Sequence, residues 1–147
     1  MSETATYGFA ANGASEPRAI SKGAVRAGRT LSTIAVLFLL FDAVMKVLVL
    51  PEAAAGTEQL GYKPESLLTL GIIQFVCLAL YLIPRTAILG AILWTGYLGG
   101  AVATHFRIDN PLFSHQLFPI YVALFLWGGL WLRDRSLRAL IPFRASR

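Results

Sequence analysis

Residues Leu31–Leu50 read LSTIAVLFLLFDAVMKVLVL, an apolar run of 20 residues in which Asp42 and Lys46 are the only charged side chains. Twenty helical residues extend for about 30 Å, the thickness of the hydrocarbon core of a bilayer. The run is longer than the apolar region of a secretory signal, which has about 7–15 residues. We therefore predict an uncleaved membrane-spanning helix, although residues 53–55 are three alanines that resemble a cleavage site.

Three further apolar runs of helical length follow along the chain: Leu67–Ile83, Thr86–Thr104 and Leu117–Leu132. We expect Leu112–Gln116 to extend the last run on its outer side and Pro119 to bend it. Pro84 ends the second run, since proline cannot continue a regular helix. The connection Pro84-Arg85 is so short that the helices on either side must lie next to each other and run antiparallel. The sequence therefore predicts an all-α, membrane-spanning antiparallel four-helix bundle.

The composition supports a lipid environment. Apolar residues make up 56% of the chain and charged residues 14%, against about 45–50% and 25% in soluble proteins. A soluble domain of 147 residues could not bury so much apolar surface, because small domains keep a large fraction of their surface in water. The net charge is +5, but the basic residues flank the apolar runs. We therefore expect the lipid bilayer, and not a nucleic acid, as the partner.

The chain divides into a tail, a membrane domain and a second short tail. Residues 1–26 are rich in Ala, Ser, Gly and Thr and have no apolar period, so we predict a disordered cytoplasmic tail there. The four-helix membrane domain is expected over residues 27–142, and a basic cytoplasmic tail over residues 143–147.

Lysine and arginine concentrate on one side of the predicted membrane. The other side carries only Lys63 and Arg107. Because cytoplasmic segments are enriched in basic residues, we expect both termini of this multi-pass protein in the cytoplasm. The basic side carries Arg18, Lys22, Arg26, Arg29, Arg85, Arg133, Arg135, Arg138, Arg144 and Arg147.

Asp42 and Lys46 form the most informative pair. Either charge costs about 2.5–3.5 kcal/mol when a helix inserts it into the membrane centre. Their four-residue spacing places them on one helical face, with the acid N-terminal to the base, which favours an ion pair. The pair has two interpretations: a structural contact that fixes the rotation of the helix, or a site for a polar ligand, a proton or an ion.

Further polar residues fall at a similar depth in the predicted outer half of the membrane. They are Gln74, Tyr97, Thr104, His105 and His115. We hypothesise that they share one ligand site with Asp42 and Lys46 that opens to the outer face. Each histidine alone is equally compatible with a solvated or hydrogen-bonded role, although either can titrate near neutral pH.

Cysteine and histidine give no sign of a metal or a bound redox group. The one cysteine, Cys77, lies inside an apolar run, so it is expected to be a buried, inert thiol. There is no Cys-x-x-Cys, and the two histidines lack the spacing of a metal or haem site. We predict no metal site and no evident cofactor.

The third predicted helix carries a row of small residues at every fourth position: Ala87, Ala91, Thr95, Gly99 and Ala103, with Gly96 and Gly100 in the adjoining row. Small residues let helix backbones approach closely in lipid. We predict that Gly96, Gly99, Gly100 and Ala103 pack inside the bundle. The alternative is an interface between copies in a homo-oligomer.

Several short motifs, taken in order, resemble the DoxX-like family of small four-helix membrane proteins from about Leu31 to Pro142. They are Phe41-Asp42-Ala43-Val44-Met45-Lys46, Leu60-Gly61-Tyr62, Tyr81-Leu82-Ile83-Pro84-Arg85-Thr86, Gly96-Tyr97-Leu98-Gly99-Gly100-Ala101 and Thr104-His105. Lys46, Pro84, Arg85 and His105 are the positions that match the family motifs.

The resemblance implies a four-helix fold in the bacterial cytoplasmic (inner) membrane. The family name comes from a link to a thiosulfate:quinone oxidoreductase, and some relatives are associated with redox-stress complexes. The resemblance therefore implies an accessory or assembly component that has membrane protein partners, such as those of a quinone-linked redox complex. The alternatives are a quinone- or lipid-binding oxidoreductase subunit and a small proton-coupled transporter. Quinone enters as a cofactor through the resemblance alone.

Overall fold

A computed structural model describes residues 20–141 of the chain. Within this part the structure is helical and contains no strand, which confirms the predicted all-α class. The helices are α1 (Lys22–Val47), α2 (Pro51–Gln59), α3 (Ser66–Leu82), α4 (Ala87–Arg107), α5 (Phe118–Arg133) and α6 (Arg135–Leu140), with a π-helical turn at Leu112–Gln116 before α5.

Helix α1 begins well before the apolar run. The side chain of Ser21 accepts a hydrogen bond from the backbone N–H of Ala24 at 3.2 Å, and this N-cap starts the helix at Lys22. The predicted end of the disordered tail at residue 26 is therefore wrong, because Arg26 lies inside α1. The remaining parts of the two predicted tails, residues 1–19 and 143–147, lie outside the described residues.

Three segments of the described chain are long and apolar enough to cross a membrane: α1, α4 and Leu112–Arg133. Helix α3 is apolar as well and has 17 residues. Large apolar side chains cover the outward surface of these helices, and Leu37, Phe41 and Leu124 are 61%, 64% and 62% exposed. Soluble monomers rarely expose contiguous apolar surface of this kind. The structure is thus that of a membrane protein in contact with lipid.

Each of the four long helices packs against two others. Helix α1 contacts α3 and α5, and α4 contacts the same two helices. Leu39, Trp94 and Leu126 fill the shared interior and are at most 2% exposed. Helix α6 packs on α5, where Arg138 Nε donates a hydrogen bond to the carbonyl oxygen of Trp131 at 2.6 Å.

Glycine permits three close approaches between helix backbones: α1 with α5, α3 with α4, and α1 with α3, where an added Cβ at Gly71 would lie 3.0 Å from the backbone nitrogen of Val47. At Gly28 on α1, an added Cβ would lie 2.7 Å from the carbonyl oxygen of Gly129 on α5. At Gly90 on α4, an added Cβ would overlap the backbone of Tyr81 on α3. No hydrophobic effect drives helices together in lipid, so van der Waals packing at such contacts holds them.

The glycine-rich face of α4 does not make such a contact. An added Cβ at Gly96, Gly99 or Gly100 would have no neighbouring atom within 4 Å, and Ala103 is exposed. The prediction that these residues pack inside the bundle is therefore wrong. A row of every fourth residue turns by about 40° per step around an α-helix, so Ala91 is fully buried while the later members face away. The alternative of a homo-oligomer interface stays a prediction.

A buried group of hydrogen bonds joins α1, α3 and α5 near the close contacts. Tyr81 on α3 donates its hydroxyl hydrogen to the carbonyl oxygen of Leu126 on α5 at 2.9 Å. Because that hydrogen is used, the hydroxyl of Ser32 on α1, 2.8 Å away, donates to the tyrosine oxygen. These polar groups are thereby paired away from water, as a membrane interior requires.

The C-termini of α1, α2 and α4 share one capping arrangement. In each, the residue beyond the C-cap has a positive φ: Val49 at 50°, Gly61 at 81° and Asp109 at 52°. The N–H of that residue donates back to the last turn, as Val49 does to the carbonyl of Lys46 at 3.1 Å, which is the pattern of the Schellman motif. Glycine is usual at this position, and a β-branched residue there costs about 1–3 kcal/mol.

Helix α2 was not predicted, because its sequence contains no long apolar run. Pro51 occupies its first turn, where a missing N–H leaves no helical bond unmade. Thr57 is 5% exposed, and α2 contacts both α1 and α3. The helix therefore packs on the ends of the long helices instead of extending into solvent.

Pro119 does not bend a continuous helix, as was expected. It lies in the first turn of α5, a position that favours proline. The break lies at Leu117, which separates α5 from the π-helical turn Leu112–Gln116. The predicted outer extension thus exists as a separate turn.

We expect Gly129→Ala to destabilise the protein, because the new Cβ would overlap Ser32 Oγ and lie 2.9 Å from the carbonyl oxygen of Gly28. Overpacking of this kind costs about 1–3 kcal/mol. The measurement is the thermal unfolding midpoint in detergent. Gly128→Ala is the matched control, since its Cβ would meet only Leu31 Cδ1 at 3.8 Å. Equal midpoints for the two variants would contradict the close α1–α5 contact.

Candidate functional site

A cavity of about 740 Å³ lies at the end of the protein that carries α2. Its walls come from the C-terminal halves of α1 and α4 and the N-terminal halves of α3 and α5, and α2 covers it. Small-molecule sites typically occupy about 300–1,000 Å³. The cavity is therefore large enough for a compact organic ligand.

The structure brings all of the predicted ligand-site residues to this one cavity. The residues that line it include Asp42, Lys46, Gln74, Tyr97, Thr104, His105 and His115. They come from α1, α3, α4 and the π-helical turn, so residues far apart in sequence meet in one wall. That they bind a ligand stays a prediction.

Asp42 is the centre of the most polar part of the wall. Lys46, one turn later on α1, forms an ion pair with Asp42 Oδ2. Gln74 Nε2 on α3 donates a hydrogen bond to the same oxygen. The side chain of Lys46 is 15% exposed and that of Asp42 37%, so the lysine does not extend away from the protein. The pair joins α1 to α3 and faces the cavity.

Gln74 is buried to an unusual degree for a polar residue on a membrane helix. Only 1% of its surface is exposed, because α3 turns this side chain toward α1. Its Nε2 is paired with Asp42, but its Oε1 has no hydrogen-bond partner among the described residues. A buried polar atom without a partner costs about 1–3 kcal/mol.

Two histidines meet at another part of the cavity wall. The rings of His105 and His115 are 5.7 Å apart, edge to face. Asn110 Nδ2 donates to His105 Nδ1 at 2.7 Å, so the neutral ring of His105 carries its hydrogen on Nε2. Ser114 Oγ lies 2.8 Å from His115 Nδ1. Both rings are thus oriented by side chains of the loop between α4 and α5.

Two polar contacts tie the loop after α2 to α4. Thr104 Oγ1 donates to the carbonyl oxygen of Gly100 at 2.8 Å, so the Tyr62 hydroxyl, 3.0 Å away, donates to Thr104. Arg107 Nη2 donates to the carbonyl oxygen of Leu60 at 2.6 Å. These contacts hold α2 over the cavity. Sequence reasoning did not place Tyr62 at the site, although it lies in one of the family-like motifs.

The rest of the wall is apolar. Leu39 and Leu70 line the cavity from α1 and α3, and Phe118 and Val122 line it from α5. On α4, Gly96 and Gly100 belong to the wall and are exposed. The cavity therefore has a polar part around Asp42 and an apolar part. Two of the residues that line it from α4 are glycines, which have no side chain.

The family-motif positions separate into two groups. Lys46 and His105 line the cavity. Pro84 and Arg85 lie in the turn between α3 and α4, at the other end of these helices. Arg85 is therefore not part of the candidate site. It lies at the same end of the protein as Arg133, at the end of α5.

The residues 20–141 contain no group of three or more His, Cys, Asp or Glu side chains placed to hold a metal ion. Cys77 is 4% exposed, belongs to the hydrophobic core and does not line the cavity. The polar side chains of the described wall can form hydrogen bonds and ion pairs with a ligand.

Comparison with known proteins gives one match. The family model described as "DoxX-like family" matches residues 30–129, a range that includes all four long helices except the first residues of α1 and the end of α5. No curated protein and no solved structure matches the chain.

We expect Lys46→Met to destabilise the protein, because it leaves the Asp42 carboxylate in the wall with Gln74 as its polar partner. Breaking a buried pair costs about 3–5 kcal/mol, and the partial exposure of Asp42 reduces this to about 1–3 kcal/mol. The double variant Asp42→Asn/Lys46→Met should recover most of the loss. Unfolding by denaturant in mixed micelles measures both.

Lys63→Met, which removes an exposed lysine in the loop before α3, is the control and should behave like the unchanged protein. If the single and double variants at positions 42 and 46 are equally stable, the pair does not contribute to the fold as described.

Proposed function

Since this chain belongs to the DoxX-like family, we propose that it forms an antiparallel four-helix bundle in the bacterial cytoplasmic membrane. Helices α1, α4 and α5 have the length and apolarity for this. Helix α3, with 17 residues, lies at the lower end of the lengths that span a bilayer, and local thinning of the bilayer accommodates such a helix. The cavity walls support the antiparallel order, because they combine the C-terminal halves of α1 and α4 with the N-terminal halves of α3 and α5.

Both termini of the protein face the cytoplasm in this proposal. The support is the distribution of charge: the start of α1, the turn between α3 and α4, and the end of α5 with α6 carry most of the basic residues. Arg133 at the end of α5 lies over the ring of Tyr81 at the end of α3, 5.9 Å from its centroid, so these segments meet at one end. The cavity and α2 then face the outer side of the membrane.

We expect a cysteine at position 58 to react with a membrane-impermeant maleimide in intact spheroplasts, and a cysteine at position 136 to react only after lysis. Glu58 on α2 and Ser136 on α6 are both exposed, so accessibility to reagent depends on the side of the membrane. The variants Glu58→Cys and Ser136→Cys are made in a Cys77→Ala background, which removes the one native cysteine. Labelling of position 136 in intact spheroplasts would show that the orientation is the opposite of the one proposed.

The protein binds a small amphipathic molecule of the quinone class in its cavity, in this proposal. The observation that carries it is the pairing of a polar wall, formed by Asp42, Lys46 and Gln74, with an apolar wall in one space of about 740 Å³. Such a space fits a polar ring with the first part of an apolar tail. The rest of a long tail would extend into lipid.

The bilayer is the source of this molecule. Gly96 and Gly100 on α4 line the cavity and are exposed, and α4 is one of the helices that is long and apolar enough to span the membrane. With no side chain at these two positions, the wall of α4 is open between its larger residues. An amphipathic molecule can therefore reach the polar wall without leaving the membrane.

In this proposal the protein is an accessory component of a larger membrane redox complex, and the bound molecule is one that such a complex uses. Membership of the DoxX-like family supports this role. The described wall supplies hydrogen bonds and charge to a ligand.

Purification of the tagged protein in a mild detergent should yield a quinone-class molecule, identified by mass spectrometry, together with flavin- or haem-containing membrane proteins. Gly100→Phe should lose most of the bound molecule, since its ring would occupy the cavity wall where nothing lies within 4 Å of the new Cβ.

Gly99→Phe is the matched control, because its Cβ is equally free of neighbours but position 99 does not line the cavity. Equal amounts of bound molecule in the two variants would contradict binding in the cavity. Recovery of the protein with its ligand but without partner proteins would contradict the accessory role. The proposed binding site would not be affected by that result.

A further inference from the structure

We propose that one exposed face of α1 binds an anionic phospholipid. Three basic side chains at the start of the helix hold the phosphate of the headgroup, and the apolar residues that follow contact an acyl chain. No residue of this face lines the cavity, so the lipid site is separate from the quinone-class ligand and does not depend on it.

A row of exposed residues runs along one side of α1, and we call it the α1 lipid face. An α-helix turns by about 100° per residue, so these residues lie within about 80° of the circumference. The buried side of α1, which includes Gly28, Ser32 and Leu39, is centred about 120° away. The α1 lipid face consists of Lys22, Arg26, Arg29, Thr33, Leu37, Leu40 and Val44.

The order of side chains along this face matches the order of groups in a phospholipid. The basic residues come first, Thr33 follows, and the remaining residues are apolar, with Leu37 61% exposed. From Thr33 to Val44 the helix rises by about 16 Å at 1.5 Å per residue. One leaflet supplies about half of the 30 Å hydrocarbon core, so the apolar part of the face has the length of one layer of acyl chains.

The basic residues of the α1 lipid face have no acidic partner within the protein that the structure describes. Lys22, Arg26 and Arg29 form no ion pair in residues 20–141. Asp134, the one acidic residue at this end among residues 20–141, accepts a hydrogen bond from the backbone N–H of Ser136 at 2.8 Å and caps α6.

Further basic residues at the same end add to this excess of positive charge. They are Arg85, Arg133, Arg135 and Arg138. The described part of the protein therefore leaves the charge of the α1 lipid face without a counterion. A phosphate group supplies one, because arginine donates two parallel hydrogen bonds to its oxygens.

Membrane orientation does not account for the arrangement of these residues. Orientation depends on how many basic residues flank the spans, whichever side of a helix carries them. Here all three lie directly in line with an exposed apolar row. A soluble anion or a nucleic acid would contact the charges alone, whereas a phospholipid contacts both parts of the face. Basic clusters beside a membrane span recognise anionic lipids in this way.

The test titrates the full-length, delipidated protein in micelles with phosphatidylglycerol and with phosphatidylcholine of identical acyl chains. Native mass spectrometry measures the bound lipid. One basic residue near an anionic headgroup corresponds to a factor of about five in affinity, so phosphatidylglycerol should bind at least about fivefold more tightly. Equal affinities for the two lipids would overturn the inference, and this comparison needs no variant.

The variants Arg26→Gln and Arg29→Gln assign the preference to the α1 lipid face. Each removes a charge from an exposed side chain and should lower the ratio of the two affinities by about fivefold. Arg135→Gln is the matched control, because Arg135 is exposed at the same end of the protein but belongs to α6. Its ratio should stay within twofold of the unchanged protein. An equal loss in all three variants would show diffuse attraction to the whole basic end and overturn the site on α1.

Glycerol phosphate distinguishes a lipid site from a site for the phosphate alone. It carries the charged group of phosphatidylglycerol without acyl chains, so a tenfold excess over the lipid should leave the bound phosphatidylglycerol unchanged. Displacement of the lipid by glycerol phosphate would show that the apolar part of the face does not contribute, which would overturn the inference.

Discussion

Helix backbones touch where glycine removes the side chain between them, and these contacts join neighbouring long helices at both ends of the protein. Gly28 on α1 lies against Gly129 on α5, and Gly90 on α4 lies against the backbone of Tyr81 on α3. Both contacts lie at the end of the helices opposite α2, where the Ser32–Tyr81–Leu126 hydrogen bonds also join three of them. The cavity lies at the other end, where Gly71 on α3 makes a third close contact, with Ala43 and Val47 on α1.

The polar wall of the cavity is arranged so that little of its charge is unbalanced. Lys46 and Gln74 both donate to one oxygen of Asp42, which lets an acid and a base remain ionised in a region where a single charge would be costly. The same arrangement leaves Gln74 Oε1 as an acceptor without a partner. Gln74 thus stabilises the ion pair and joins α3 to α1 in the wall of the cavity.

The apolar runs and the charged pair could be predicted from the sequence because they depend on composition and on regular spacing. The meeting of Asp42, Gln74 and His105 at one cavity follows from depth along antiparallel helices, which the positions of the runs already indicate. The close contacts could not be predicted in the same way. Gly28, Gly90 and Gly129 are single glycines without a repeating pattern, whereas the repeating pattern on α4 turns around the helix and away from its neighbours. Helix α2 was missed since its nine residues carry no apolar period, and its position depends on contacts made by Tyr62 and Arg107.

The proposed entry of the ligand from the bilayer has a consequence for how strongly the site needs to bind. A molecule that reaches the cavity from lipid is already concentrated there by partitioning, by about 0.8 kcal/mol for each methylene of its tail. The tail thus supplies the local concentration, and the contacts with Asp42, Lys46 and Gln74 need only distinguish one dissolved lipid from another. For such a site the affinity is best expressed as a mole fraction of ligand in the bilayer. The occupancy of the site then changes with the amount of ligand in the membrane and not with the ligand concentration in water.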